Sequence, residues 1–333
     1  MHRNWTAATP RFSLAALLLL ASAAQAAAPC RGPAIPVQRL ASGAWLVPGA
    51  TGDTTPANRG AISNLLAVRD GTRLWLVGSG PSVAYARSLD CQLRRVTGLR
   101  VTDVVAPWPR PELVLGQAGL LGARRWAHED VAAAMQERCP RCIERLRLRL
   151  GMSARDLGTG AVALPQHRLH GDSGTLGPLR WRRLQRAGTT TVTLWCLPRA
   201  RLTTAHGLLW AEGAPDLRDA DSAILERAWQ QLAASGTGTG TGGMRWIPEQ
   251  GPVQPTDAPV GHLQYLAALH TAVDAAQSRG TPESDPAPAL PGVSTPINRS
   301  ARHQLNWQHA WREAEARWMT TAPPPGNDGA KTP

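Results

Sequence analysis

Two blocks of short apolar runs, β-branched or tryptophan-bearing and each followed by helical periodicity, set the outline of this 333-residue sequence. The first block has runs at 44–47, 62–68 and 74–77, with Arg69-Asp70-Gly71-Thr72 as the turn of a hairpin between the last two. Residues 82–96 then place Val83, Ala86, Leu89, Leu93 and Val96 at helical spacing, and 101–106 reads as a strand. Further helices are expected at 111–121 and at 129–150, the latter interrupted at Pro140, with a strand at 124–127 between them. The second block has strands at 179–184, 190–197 and 202–210, then a helix over 219–234 with Asp219 as N-cap, a short strand at 244–247, and helices at 261–278 and 300–319. Two strand-rich segments, each covered by its own helices, imply an α/β sandwich whose site lies where loops meet at the sheet edge.

Ahead of this pattern stand Arg3 and Arg11, the apolar run 14–21 and the small-residue sequence Ala24-Gln25-Ala26. The run is too short to span a bilayer and reads as a secretory signal peptide over 1–26. No later stretch approaches the roughly 18 apolar residues of a membrane helix, so no transmembrane segment is expected. The mature part is read as one domain over 27–320 with flexible insertions at 236–243 (Gly/Thr repeat) and 280–296 (Pro-rich), and a disordered tail at 321–333. A periplasmic or secreted location follows.

Charge narrows the partners. The chain has 36 Lys+Arg against 24 Asp+Glu and a formal net charge of +12, and Lys331 is its only lysine. Arginines cluster at Arg138, Arg141, Arg145, Arg147 and Arg149, and again at Arg180, Arg182, Arg183 and Arg186. Export excludes nucleic acid as the expected partner, leaving a small anionic ligand, anionic lipid or a periplasmic protein.

An exported compartment gives its five cysteines meaning: Cys30, Cys91, Cys139, Cys142 and Cys196. Cys139-Pro140-Arg141-Cys142 lacks the histidine of a haem-attachment motif and the preceding strand of a thioredoxin-type site. A Cys139–Cys142 disulfide pinning a helix break is expected, with the pairing of the other three open, a Cys30–Cys91 bridge among the arrangements.

The order of landmarks resembles the metallo-β-lactamase fold superfamily over nearly the whole mature chain. Gly60-Ala61-Ile62-Ser63-Asn64 and Val77-Gly78-Ser79-Gly80-Pro81-Ser82 are similar to that family's N-terminal hairpin and its Asp-Thr-Gly turn. Residues 104–117, with Pro107-Trp108-Pro109-Arg110-Pro111-Glu112-Leu113, resemble the stretch carrying its H-x-H-x-D-H signature. Residues 195–198, 201–210 and Ile247-Pro248-Glu249-Gln250-Gly251 resemble the strands before the remaining ligands. The resemblance implies an αββα four-layer sandwich.

It also implies what is missing. The signature histidines fall on Trp108, Arg110 and Leu113, and the aspartate on Glu112; the next histidine falls on Gly188, the bridging aspartate on Gly207, the last histidine on Gln250, and the acid of the turn on Gly78. Indole nitrogen only donates, guanidinium stays protonated and leucine is apolar, so zinc coordination of the family type is lost. A zinc hydrolase depends on the metal lowering the pKa of water from about 15.7 to about 7. The expectation is therefore a non-catalytic binding or accessory protein with no cofactor, its pocket formed by Trp108, Arg110, Glu112 and His206. The wording around 62–64, 80–82 and 111–116 is most similar to exported members associated with periplasmic quinoprotein systems, such as quinoprotein relay system zinc metallohydrolases. The alternative is a metal-dependent hydrolase whose zinc sits on a displaced set of His167, His170, His206 and Glu112; Pro165 and Gly171 place the first two in a loop.

Overall fold

The structure, a computed structural model, describes residues 1–2, 30, 34–158, 162–236 and 243–321. The expected signal peptide beyond residue 2, the 236–243 insertion apart from its ends and the 321–333 tail beyond residue 321 lie outside the described residues.

From residue 34 onward the chain builds two sheets. The first holds seven strands in sequence order: β1 (Gln38–Ala41), β2 (Ala44–Val47), β3 (Leu65–Asp70), β4 (Arg73–Val77), β5 (Asp103–Ala106), β6 (Arg124–His128) and β7 (His167–Leu169). Its first four strands pair antiparallel and the rest parallel. The parallel half requires crossovers, and α1 (Val83–Thr97) supplies the one between β4 and β5. Ser82 caps α1 by accepting from Tyr85 N at 3.2 Å, and Gly98, at φ +78°, closes it. The second sheet runs in the order β12 (Arg245–Pro248), β11 (Leu202–Ala205), β10 (Thr190–Leu197), β9 (Leu179–Ala187), β8 (Ser173–Leu176). Only its β11–β12 pair is parallel.

Period-two alternation sorts the apolar residues into layers. Leu66 and Val68 of β3 and Trp75 and Val77 of β4 face Trp181, Trp195, Leu197, Leu202 and Ile247 in the inter-sheet core. Their neighbours Leu65, Ala67, Leu74 and Leu76 belong to the outer core with Leu89 and Leu93 of α1. On the other flank α4 (Ser222–Gly236), α5 (Ala258–Ser278) and α7 (Ala301–Thr321) bury Trp229, Tyr265, Leu269 and Trp307. Helices thus cover both paired sheets, as the αββα expectation required. Tryptophan is the main large aromatic in both cores of a chain with one phenylalanine.

Several boundaries differ from the sequence pattern. α2 is a single turn, Pro111–Val114, continued by a tighter helical turn over Leu115–Gly119. β11 stops at Ala205, because the chain turns there and Gly207 takes φ +74°. α4 is capped by Asp221, whose Oδ1 accepts from Ile224 N at 2.9 Å, and not by Asp219. α3 (Glu129–Leu150) passes unbroken through Pro140. The Pro-rich 280–296 stretch, expected as a flexible insertion, is pinned to its surroundings and leads into the single turn α6 (Thr295–Asn298). Leu290 is buried, Asn298 Oδ1 accepts from Leu290 N at 3.0 Å, and Gln304 Oε1 accepts from Ala287 N at 2.7 Å. Among the described residues no helix is long and apolar enough to cross a membrane.

Candidate functional site

The site grows from the loop that follows β5. Pro107 offers its carbonyl to Thr193 of β10, which donates its N–H at 2.7 Å and its hydroxyl at 2.9 Å, tying the loop to the second sheet. Pro109 and Pro111 each hold the preceding residue extended, and Arg110 has φ −98° and ψ 131°. Trp108 and Arg110, two apart on this extended stretch, both reach the carboxylate of Glu249, which follows β12.

Glu249 is fully buried. Its Oε2 accepts from Trp108 Nε1 at 3.2 Å and from Gly207 N at 3.0 Å, and its Oε1 accepts from the Ser63 hydroxyl at 2.6 Å. Arg110 Nε lies 3.8 Å from Glu249 Oε1 and 3.3 Å from Glu112 Oε2, while its Nη1 lies 3.6 Å from Asp216 Oδ2. Thr54 donates to Glu112 Oε1 at 2.8 Å. Asp216 in turn receives both arms of Arg218, at 2.9 and 2.6 Å. One guanidinium therefore stands among three carboxylates.

The electrostatics follow from that arrangement. Burial by itself would raise the Glu249 pKa, but Arg110 foremost, then the Ser63 hydroxyl and the Gly207 N–H, holds it below the ordinary value. Asp216 goes the same way: burial opposes ionisation, and Arg218, Arg110 and Arg186 overcome it. Burial works against the charge on Arg110, yet Glu112, Glu249 and Asp216 push its pKa up, so the guanidinium is permanently charged. Arg186 is also buried, which lowers its pKa. It donates to the carbonyls of Gly207, at 2.9 Å, and Asp216, with its guanidinium 5.2 Å from the Trp108 ring centroid.

The other positions named by the resemblance fall around this cluster with distinct roles. A Cβ on Gly78, which has φ +77°, would lie 2.7 Å from Leu65 Cδ2 and 2.9 Å from Leu113 Cδ2. Leu113 thus occupies the space that a side chain at Gly78 would need. Gln250 bridges, donating to Gly52 O at 2.9 Å and accepting from Arg302 Nη2 at 2.7 Å. Gly188 lies in the β9–β10 turn with open space where its Cβ would be. His206 is fully buried and is not at the cleft surface, contrary to the pocket expected of it. Its Nε2–H donates to Asn64 O at 2.7 Å, and burial lowers its pKa, so the ring is neutral.

The displaced set His167, His170, His206 and Glu112 is not assembled. His167 begins the edge strand β7, not a loop, and stacks on Trp126 at 4.2 Å between centroids. His170 pairs with Glu129 at 2.9 Å. Among the described residues no three His, Cys, Asp or Glu side chains form a group able to hold a metal.

Above the cluster opens a cleft of about 700 Å³. Trp108, Arg110, Glu112, Asp216 and Arg218 line one side, and α3 lines the other through Arg138, Arg141, Arg145 and Arg149. The segment bearing Asp216 is fixed by α7. Arg302 donates to Ala214 O at 3.1 Å, and Asn306 donates to Pro215 O at 2.7 Å while accepting from Leu217 N at 3.2 Å.

Cys142 also lines the cleft, which corrects the expected Cys139–Cys142 disulfide: both thiols are free. α3 is continuous through Pro140, so there is no helix break for a disulfide to pin. Cys139 enters the core, where burial, with Cys142 and Glu112 adding to it, pushes its thiol up to about 12, and Cys142 stays half-buried. Cys30 and Cys91 are the disulfide-bonded cysteines, and Cys196 is free.

Sequence reasoning passed over Glu249, Asp216, Arg218 and Ser63. Glu249 had a signal, its place beside Gln250 in the stretch after β12; Asp216 and Arg218 had none, since only the docking of α7 brings their segment to the cleft.

No protein-family model matches the chain, and no curated protein matches it in sequence. Solved structures do match. The metallo-β-lactamase FIM-1 from Pseudomonas aeruginosa in its mono-zinc form is 18% identical with a TM-score of 0.55, covering 72% of this chain and 97% of that one. A metallo-β-lactamase from Erythrobacter litoralis, with β-mercaptoethanol in its active site, is 19% identical with a TM-score of 0.55, covering 71% and 98%. One from Hirschia baltica is 12% identical with a TM-score of 0.55, covering 70% and 98%. At such identities the likeness is one of fold, and the chain has the metallo-β-lactamase fold.

Proposed function

We propose that this protein is an exported, zinc-free variant of the metallo-β-lactamase fold that binds an anionic ligand in its cleft and does not hydrolyse it. The observation that carries this reading is Arg110, a fixed positive charge within 3.8 Å of Glu112, Glu249 and Asp216. A zinc ion needs lone pairs from several side chains around one point. Here two of the residues at the signature-histidine positions, Trp108 and Arg110, can only donate hydrogen bonds. The carboxylates that remain are already taken by Trp108, Ser63, Thr54, Arg110 and Arg218. These residues do not fit zinc, and no hydrolytic step through it is derived.

Disulfide-bonded Cys30 and Cys91 support passage through an oxidising compartment, in line with the leader at 1–26 and a periplasmic or secreted location. An accessory role beside a periplasmic quinoprotein oxidation system rests on the wording around Ile62, Pro81 and Pro111. Metal analysis of the mature protein, purified without chelator from zinc-replete cells, tests the central point. Well under one equivalent of zinc is expected, and one or more tightly held equivalents would overturn the reading.

A further inference from the structure

The geometry points to a compact multivalent anion, a small organic molecule bearing two or more phosphate or carboxylate groups, as the occupant of the cleft, held along one face of α3. This deepens the proposed function: it rests on the binding half of that reading and not on the zinc half.

Arg138, Arg141, Arg145 and Arg149 follow one another at three or four residues, so they share a helix face. At about 1.5 Å rise per residue their ladder extends for about 16 Å, with steps of about 4.5 to 6 Å. Arginine runs on helices are commonly solvated faces, but this one forms the wall of a concavity. Its volume, about 700 Å³, lies in the range typical of small-molecule sites, roughly 300–1,000 Å³.

The ladder also has charge to spare. Arg110 and Arg218 are neutralised by the acids at the cleft floor. Among the described residues, none of the four α3 arginines has a carboxylate partner. Arg138 rests on the hydroxyls of Thr190, at 3.0 Å, and Thr189, at 3.1 Å, and Arg145 Nη2 is 3.7 Å from Cys142 Sγ. Such weak neutral acceptors are readily exchanged for anionic oxygens, which bind guanidinium about twice as strongly.

A single phosphate spans one rung of this ladder. Two or more anionic groups on one short backbone span several, and the second engagement is then intramolecular. A flat lipid surface would reach only the outer tips of the arginines, and a long polyanion would exceed the cleft.

Calorimetric titration of the full mature protein with tripolyphosphate and with citrate, against inorganic phosphate at about 0.15 M salt, tests the inference. Iodoacetamide labelling of Cys142 provides a footprint inside the cleft, with Cys196 as the reference thiol. At least one of the two multivalent probes should bind one per chain, about tenfold or more tighter than phosphate, and should slow labelling of Cys142 but not of Cys196. Arg141→Ala with Arg145→Ala should lose about tenfold in affinity at unchanged Tm, and Arg245→Ala on β12 should lose little. Equal losses from both variants, or affinity for both multivalent probes no better than for phosphate, would overturn the inference. So would tighter binding to anionic phosphatidylglycerol vesicles or to heparin with Cys142 left fully reactive by both small probes. Zinc measured on the same samples separates the two readings. Zinc-free protein that ignores both probes sinks this inference alone, whereas zinc-loaded protein with a protected Cys142 sinks the zinc-free proposal alone.

Discussion

The indole of Trp108 lies flat enough on Gly207 that a Cβ added there would sit 3.1 Å from its ring, and the same indole donates its N–H to Glu249 at 3.2 Å. Backbone, ring and carboxylate thus form one packed unit, and Arg110 supplies its counter-charge. Restoring ligands on one side of such a unit leaves the other side closed to metal. Trp108→His combined with Leu113→His should therefore bind well under one equivalent of zinc, because Gly207 and Gln250 supply no ligand and Arg110 keeps its charge. Stoichiometric zinc in that double variant, read by elemental analysis, would show that the second-half positions have been misassigned.

Glu249→Gln removes one of the three carboxylates facing Arg110 and should destabilise the fold by about 3 kcal/mol, the usual scale for breaking a buried pair from one side. Urea unfolding of wild type and variant with equal m-values would measure it. A loss below about 0.5 kcal/mol would mean that Glu112 and Asp216 alone satisfy Arg110.

The acid side of the stability profile should carry the same signature. Glu249 and Asp216 both titrate below their ordinary values of 4.5 and 3.8 in the folded state. At pH below those values the unfolded chain takes up protons first, so the stabilisation present above them is lost as pH falls toward the depressed folded values. Stability should thus drop steeply with acidification below about pH 4.5. The slope should be shallower in Glu249→Gln, and identical slopes would assign the acid loss to other groups.

Gly78→Ala places a methyl group 2.7 Å from Leu65 and 2.9 Å from Leu113 at a backbone angle of φ +77°. The expected cost is about 2–4 kcal/mol from overpacking and strain together. Adding Leu113→Ala should recover Leu113's part of the steric share and leave the Leu65 clash and the strain, so the pair should couple in a double-mutant cycle. Additive losses would show that Leu113 is not the residue filling that space.

Mass mapping of native protein should find alkylation at Cys142, none at Cys139 until the chain is unfolded, and Cys30 and Cys91 in disulfide linkage. The order follows from exposure and from the raised thiol pKa of Cys139.

The layered architecture was legible because strand and helix periods alternate in blocks, and burial on two faces enforces those periods. The centre of the site was legible in part. The resemblance of 104–117 to the family's signature stretch marked Trp108 and Arg110, with Glu112 beside them. Glu249 was obscured because Gln250 occupies the position that the resemblance made important, while the turn after β12 brings the preceding residue inward. Pro140 misled for a different reason. A proline ring costs an interior helix one hydrogen bond and a clash, but the packing of Cys139, Ile143 and Leu146 into the core holds α3 through it. The edge strand β7 carries too few apolar residues to announce itself, and His167 gains its place there by pairing with Trp126.

Arg110 has one consequence beyond its contacts. A cation that three carboxylates hold by coordination can be stripped by a chelator or withheld by starvation; a cation carried on the chain can be neither. The charge balance at the heart of this fold is written into the polypeptide and is complete as soon as it folds, whatever metal ions surround it.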